Sequence, residues 1–178
     1  MKMFVTLFVV FAVASSALGE CPVPPNVPGA DIGKIAGRWY RIGGKSIITG
    51  NPRTDLYITD DFIPLEDGNF NYTITEAYSE DIKFSVYNLA ERTDSQNSLN
   101  VYDIERKVPY HMTYYIIDTD YDNYLAAYAC LETPISTSPV TSFILSRTNS
   151  MSAAKYDELS NLLVNIFKKY SPDFDPED

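Results

Sequence analysis

What most constrains this chain is the regular recurrence of short strand-like segments. Stretches rich in Tyr, Ile, Val, Phe and Thr fall at about 38–46, 54–63, 69–79, 82–93, 98–108, 110–118, 123–131 and 141–147. Branched and aromatic side chains of this kind suit a pleated, half-buried surface. Turn chemistry separates them, with "LEDGN" at 65–69, "TDSQNS" at 93–98 and "TDYDN" at 119–123. Such runs supply the side-chain-to-backbone bonds and positive-φ residues that hairpins need. Strands joined by hairpins make a meander, and a meander removes its two unpaired edges only by closing. The spacing predicts an all-β, eight-stranded antiparallel up-and-down β-barrel. A two-sheet sandwich is the competing architecture.

One helix follows. The stretch 152–170, "SAAKYDELSNLLVNIFKKY", puts Leu159, Leu162, Leu163, Ile166, Phe167 and Tyr170 on one stripe, which is expected to pack on the outside of the barrel. Ser150 or Ser152 can cap it, Asp157 and Glu158 come early, and Lys168 and Lys169 close it, as the helix dipole favours. The barrel with its helix is expected to span 20–170 as one domain, and 171–178, "SPDFDPED", reads as an acidic tail.

The first 19 residues read as a secretory signal: Lys2, an apolar run from Phe4 to Ala14 broken only by Thr6, then Ala17 and Gly19 at the small positions before a cut. The run is too short to span a bilayer, and no later one is apolar enough, so a secreted, extracellular protein without membrane insertion is expected. Without Lys2 the chain carries 13 basic and 24 acidic residues. With no Lys/Arg cluster, that balance speaks against nucleic acid and against anionic membranes. Two cysteines, Cys21 and Cys130, read as one disulfide in an oxidising compartment, which leaves no thiol for catalysis or metal. Asn71–Tyr72–Thr73 is a glycosylation sequon whose Asn71 has outward parity.

Three stretches then stand out in order. Gly37–Arg38–Trp39 holds the only tryptophan, Thr119–Asp120–Tyr121 lies between two strands, and Arg147 ends "TSFILSR" just before the helix. Together they resemble the lipocalins over essentially all of 21–170. Within that family "IIDTDYDNYLAAYAC" and "SFILSRTNS" look most like the apolipoprotein D, insect bilin-binding protein and crustacyanin group. The resemblance implies that Trp39 plugs the closed end of the barrel and that Arg147 lies across its face. It also implies a Cys21–Cys130 bridge. A second bridge usual in the group has no counterpart, since Tyr57 stands at the strand position and the tail has no Cys.

Lipocalin registers imply the inward residues. Counting by twos from Trp39 and Arg147 puts Arg41, Gly43, Lys45, Leu145, Phe143 and Thr141 inside. By resemblance Ile58, Asp60 and Phe62 face in, as do Tyr72 and Ile74, Met112, Tyr114 and Ile116, and Leu125, Ala127 and Ala129. The expected ligand set is Arg41, Ile58, Asp60, Phe62, Tyr72, Ile74, Met112, Tyr114, Ile116, Leu125, Ala127 and Phe143. Arg41 and Asp60 either satisfy each other near the floor, or Arg41 meets a polar end of the ligand.

The implied function is that of a secreted carrier of a small hydrophobic molecule. A pigment such as a bilin or carotenoid is one class; fatty acid, sterol or retinoid lipid is the alternative. No cofactor is required and no enzyme activity is expected. A third reading is assembly through outer faces with a vestigial cavity, in which Tyr115, Ile117, Tyr124 and Tyr128 either join subunits or pack under the helix; a monomer or a homo-oligomer fits. His111, the sole histidine, reads as a rim residue near the open end, with haem ligation as the lesser alternative.

Overall fold

The computed structural model describes residue 24 and residues 30–43, 57–105, 111–133 and 136–170, the side chains of 136–140 and 169–170 excepted. The expected signal segment, Cys21, Lys45 and the tail lie outside the described residues. Strands β1 (Gly37–Gly43), β2 (Tyr57–Pro64), β3 (Phe70–Ala77), β4 (Lys83–Arg92), β5 (Ser98–Asp103), β6 (His111–Thr119), β7 (Tyr124–Thr133) and β8 (Ser136–Ser146) run in sequence order. Each pairs antiparallel with the next, and β8 pairs with β1 to close the barrel. A 3-10 turn, Ile32–Ile35, precedes β1, and helix α1, Ala153–Tyr170, follows β8. The closed barrel excludes the sandwich.

Turn residues act as their chemistry demands. In the β2–β3 hairpin Gly68 has φ +87°, a region that costs glycine little. The Asp67 carboxylate accepts from the Asn69 backbone at 2.9 Å, and Leu65 N–H donates to the Asn69 carbonyl at 2.8 Å. Just beyond this hairpin, Asn71 lies exposed on the outer face of β3, as its parity predicts.

Two strand boundaries and one facing depart from the sequence reading. β8 begins at Ser136, well before the expected 141. Pro139, which has no ladder donor, falls at the β7–β8 register shift between Ala129 and Cys130, where a proline is tolerated. β5 stops at Asp103, not at 108, because the Asp103 carboxylate turns the chain by accepting from Glu105 N–H at 3.0 Å. β1 carries a bulge between Arg41 and Gly43. A bulge inserts one residue and reverses the facing of the residues after it, so Gly43 does not point inward as counting by twos predicts. It pairs with Ile144 on the outer face, and a Cβ there would stand 2.7 Å from the Tyr156 hydroxyl oxygen of α1.

The core has two parts. The barrel interior buries Trp39, Phe62, Phe70, Tyr72, Leu99 and their neighbours. The second part lies between the barrel wall and α1, where Leu159, Leu163 and Phe167 meet Ala126, Tyr128, Cys130 and Ile144, flanked by Tyr115, Ile117 and Tyr124. The four outer residues considered for assembly therefore pack with the helix. Ser152 caps α1, its hydroxyl accepting from Lys155 N–H at 3.3 Å.

Gly43→Ala is expected to lower unfolding stability by about 1–3 kcal/mol, because the methyl must displace the Tyr156 ring or bend β1. Urea unfolding checks this; an unchanged midpoint would show that α1 yields freely at that contact.

Candidate functional site

The interior divides into a sealed base, a charged layer and an open mouth. At the base Trp39 is fully buried, and its indole N–H donates to the Ile35 carbonyl at 2.7 Å. The Arg147 guanidinium lies 3.6 Å from the centre of the indole ring. It also donates to the carbonyls of Tyr121 at 3.1 Å, Arg38 at 3.1 Å and Lys34 at 3.3 Å. One planar cation thus ties the 3-10 turn, β1, the β6–β7 loop and β8 together, a use that a fixed fork of donors permits. Burial lowers the Arg147 pKa, opposed by Asp122. Gly37 belongs to this arrangement, since it has φ +95° and a Cβ there would stand 3.3 Å from Arg147 Nη1.

The β6–β7 loop supplies the rest of the closure. The Thr119 hydroxyl donates to the Tyr124 carbonyl at 2.6 Å and accepts from Tyr121 N–H at 2.9 Å. The Asp120 carboxylate accepts from the backbone N–H groups of Asn123 at 2.8 Å and Tyr124 at 3.0 Å. Burial disfavours this carboxylate, but the Asn123 side-chain amide, which donates to it at 2.8 Å, and the backbone N–H groups outweigh burial and hold its pKa below the usual carboxylate value. These bonds fix Tyr121 at φ +65°, and its hydroxyl accepts from Asp31 N–H at 2.7 Å. The three motifs expected at the closed end meet there.

Above the base, Arg41 and Asp60 form a bidentate pair, Nε to Oδ2 at 3.0 Å and Nη2 to Oδ1 at 2.5 Å, with side chains 9% and 2% exposed. Tyr72 donates its hydroxyl to the same Asp60 Oδ1. Burial works against the Arg41 charge, but Asp60 prevails and raises its pKa above the ordinary arginine value. Burial pushes the Tyr72 hydroxyl well up, and Asp60 pushes it further. Tyr114 is raised by burial too, partly offset by Arg41 and a hydrogen bond with Tyr72. The guanidinium carbon sits 5.0 Å from the Phe143 ring centre, and Tyr72 stacks on Phe62 at 4.4 Å. Of the two readings of Arg41, the pairing with Asp60 is what the structure contains.

The expected ligand residues split across this layer. Phe62, Ile116, Leu125, Ala127 and Phe143, with Ile35, Leu99 and Leu145, surround a residual cavity of about 20 Å³ beneath Asp60, Tyr72 and Tyr114. That is room for about one water. Ile58 is buried on β2, whereas Ile74 and Met112 are only half-buried. Positions facing inward further from the base are more open still. Val86 opposes Ile74 and Phe84 opposes Glu76, and they are 38% and 61% exposed. Inward residues thus go from fully buried at the base to exposed apolar side chains at the mouth.

The expected set holds no residue of the fourth and fifth strands. The alternation Phe84, Val86, Asn88, Ala90 and the pair Leu99, Val101 carry the period-2 signal that would have found them. His111 does not face the interior, because its neighbour Met112 does. It lies 3.5 Å from the Glu132 carboxylate and against the Tyr102 ring. Cys130 is buried on β7.

Residues 36–166 match the lipocalin / cytosolic fatty-acid binding protein family. Among solved structures, the solution NMR structure of lipocalin 12 from rat epididymis aligns with TM-score 0.64 over 76% of this chain and 78% of that one, at 12% identity. At that identity the likeness is one of fold.

Two outcomes follow from the geometry. Arg147→Lys keeps the charge but cannot reach three carbonyls, so it is expected to cost about 2 kcal/mol and to red-shift the emission of Trp39, the only indole. Unchanged emission and stability would show that the cation is dispensable at the base. Arg41→Met alone strands a buried carboxylate and is expected to cost about 3–5 kcal/mol, most of which Arg41→Met with Asp60→Leu restores; equal losses in both variants would contradict this.

Proposed function

Since the chain belongs to the lipocalin / cytosolic fatty-acid binding protein family, we propose that it is a secreted carrier that holds a small hydrophobic molecule in the upper half of its barrel. The observation that supports this most is the gradient of exposure. The base is sealed by Trp39 under Arg147, while apolar residues facing the mouth, Ile74, Val86, Phe84 and Met112, keep access to solvent. A monomeric protein gains nothing from apolar side chains turned inward and left wet. A guest that covers them gains about 25 cal/mol for each Å² removed from water. Family members bind such ligands without a cofactor and generally act as carriers, not as enzymes.

The finer reading continues from the sequence. Residues 1–19 direct export, Cys21 pairs with Cys130 once the chain is in an oxidising compartment, and Asn71 is available to a glycan on the outer wall. The subgroup is that of apolipoprotein D, insect bilin-binding protein and the crustacyanins, so the cargo is a bilin or carotenoid, with lipid the alternative. The base aromatics are consumed in packing against one another around the 20 Å³ cavity. This supports a cargo that lies above the charged layer, in contact with Ile58, Ile74 and Met112 more than with Phe62 or Leu125.

Protein isolated from its natural source is expected to yield an extractable hydrophobic compound, and the recombinant protein to bind a neutral hydrophobic fluorophore at one site. Met112→Trp, which adds bulk to the upper half, is expected to weaken that binding at least about tenfold, whereas Phe62→Leu, below the layer, changes it little. Equal losses at both positions, or no saturable binding by the unsubstituted protein, would defeat the reading.

A further inference from the structure

The charged layer forms the floor of the upper cup, so it is what the inner end of any guest would meet. Its state of charge and its spare hydrogen-bonding capacity both follow from the contacts. The Asp60 carboxylate accepts three bonds, at Oδ1 from Arg41 Nη2 and from the Tyr72 hydroxyl, and at Oδ2 from Arg41 Nε. Arg41 keeps donors in hand. Among the described residues no group accepts from its Nη1, although the side chain is only 9% exposed. A guanidinium has five N–H donors and no acceptor. The floor therefore offers surplus guanidinium donors, while its net charge is zero.

We propose that this floor selects cargo by its inner end, favouring a neutral hydrogen-bond acceptor such as a carbonyl or hydroxyl oxygen over a carboxylate. The proposal rests on the carrier reading and gives it a substrate class. A neutral oxygen satisfies the idle Nη1 donors and brings no charge. A carboxylate at the same place stands nearer Arg41 than Asp60, which lies across the guanidinium on the Nε and Nη2 side, and Asp60 offsets part of the attraction. The remainder is set against the cost of taking a second carboxylate out of water beside an ion pair whose charges already answer each other. Arg41 alone would attract an anion; Asp60 is what removes that preference.

The test compares matched pairs that differ only at the polar end: dodecanol with dodecanoic acid, and retinal with retinoic acid. Each competes for the site against the neutral probe N-phenylnaphthylamine. Near neutral pH the alcohol and the aldehyde are expected to bind at least about tenfold more tightly than the acids. The gap should close as pH falls below about 4.3, where a carboxylic acid regains its proton. Asp60→Asn leaves Arg41 uncompensated and is expected to reverse the order near neutral pH. Acids binding as tightly as their neutral partners to the unsubstituted protein would overturn the proposal, as would an unchanged order in a folded Asp60→Asn variant. The pH series on the unsubstituted protein decides the matter should that variant fail to fold. Failure of the probe itself to bind would instead overturn the carrier reading on which the proposal stands.

Discussion

The barrel depends on one cation lying on one indole. A closed sheet of this size is a tube, and a tube becomes a vessel only if one end is stopped. Trp39 supplies a large flat stopper, but an indole at the end of a barrel still presents a face to water. Arg147 covers that face at 3.6 Å and spends its donors on three carbonyls from three different segments. These carbonyls lie at the ends of elements, where no ladder partner is available, and the guanidinium supplies the donors they lack. The same side chain therefore closes the base and satisfies the backbone around it. Its partners come from both ends of the barrel sequence, so the base is complete only once β1 has met β8.

That arrangement concentrates order at one end. The base is a web of short-range turns, Thr119, Asp120 and Tyr121 among them, locked to a long-range closure. Among the described residues the mouth presents half-exposed apolar side chains instead. The charged layer sits at the boundary. Burying an ion pair is weak evidence for stability, because an apolar replacement of similar volume often does as well. Keeping Arg41, Asp60 and Tyr72 in the middle of an otherwise apolar interior thus makes most sense as a device that chooses what may lie against it.

Much of the fold was legible because it rests on periodicity. The strands alternate, the helix stripe of Leu159, Leu163 and Phe167 recurs at helical spacing, and Trp39, Tyr121 and Arg147 sit in motifs whose geometry is local at each position. What was not legible rests on sums over the whole sheet. The bulge after Arg41 turned Gly43 outward, and no residue type there announces it, although the glycine itself makes sense once Tyr156 is seen against it. The early start of β8 at Ser136 rests on the β7–β8 shift, which gives Pro139 a place in the strand. The pairing of Arg41 with Asp60 could be anticipated from neighbouring strands, but the third member, Tyr72, could not. Nor could parity say that Phe62 and Leu125 would surround a space for one water while Met112 would stay half-buried. Facing inward is a one-dimensional property; volume is not.

The depth of the cup can be measured along β4. Asn88 lies opposite Tyr72, at the level of the layer, and Phe84 stands at the rim four residues further along the strand. At about 3.3 Å per residue this is roughly 13 Å along the strand, and the tilt of strands in a small barrel reduces it to roughly 10 Å along the axis. An elongated guest standing on Arg41 would have its far end among Val86 and Phe84, which are the inward side chains left most exposed. On the proposal made above, the exposure of the rim and the polarity of the floor answer the two ends of one amphiphile, oxygen down and hydrocarbon up.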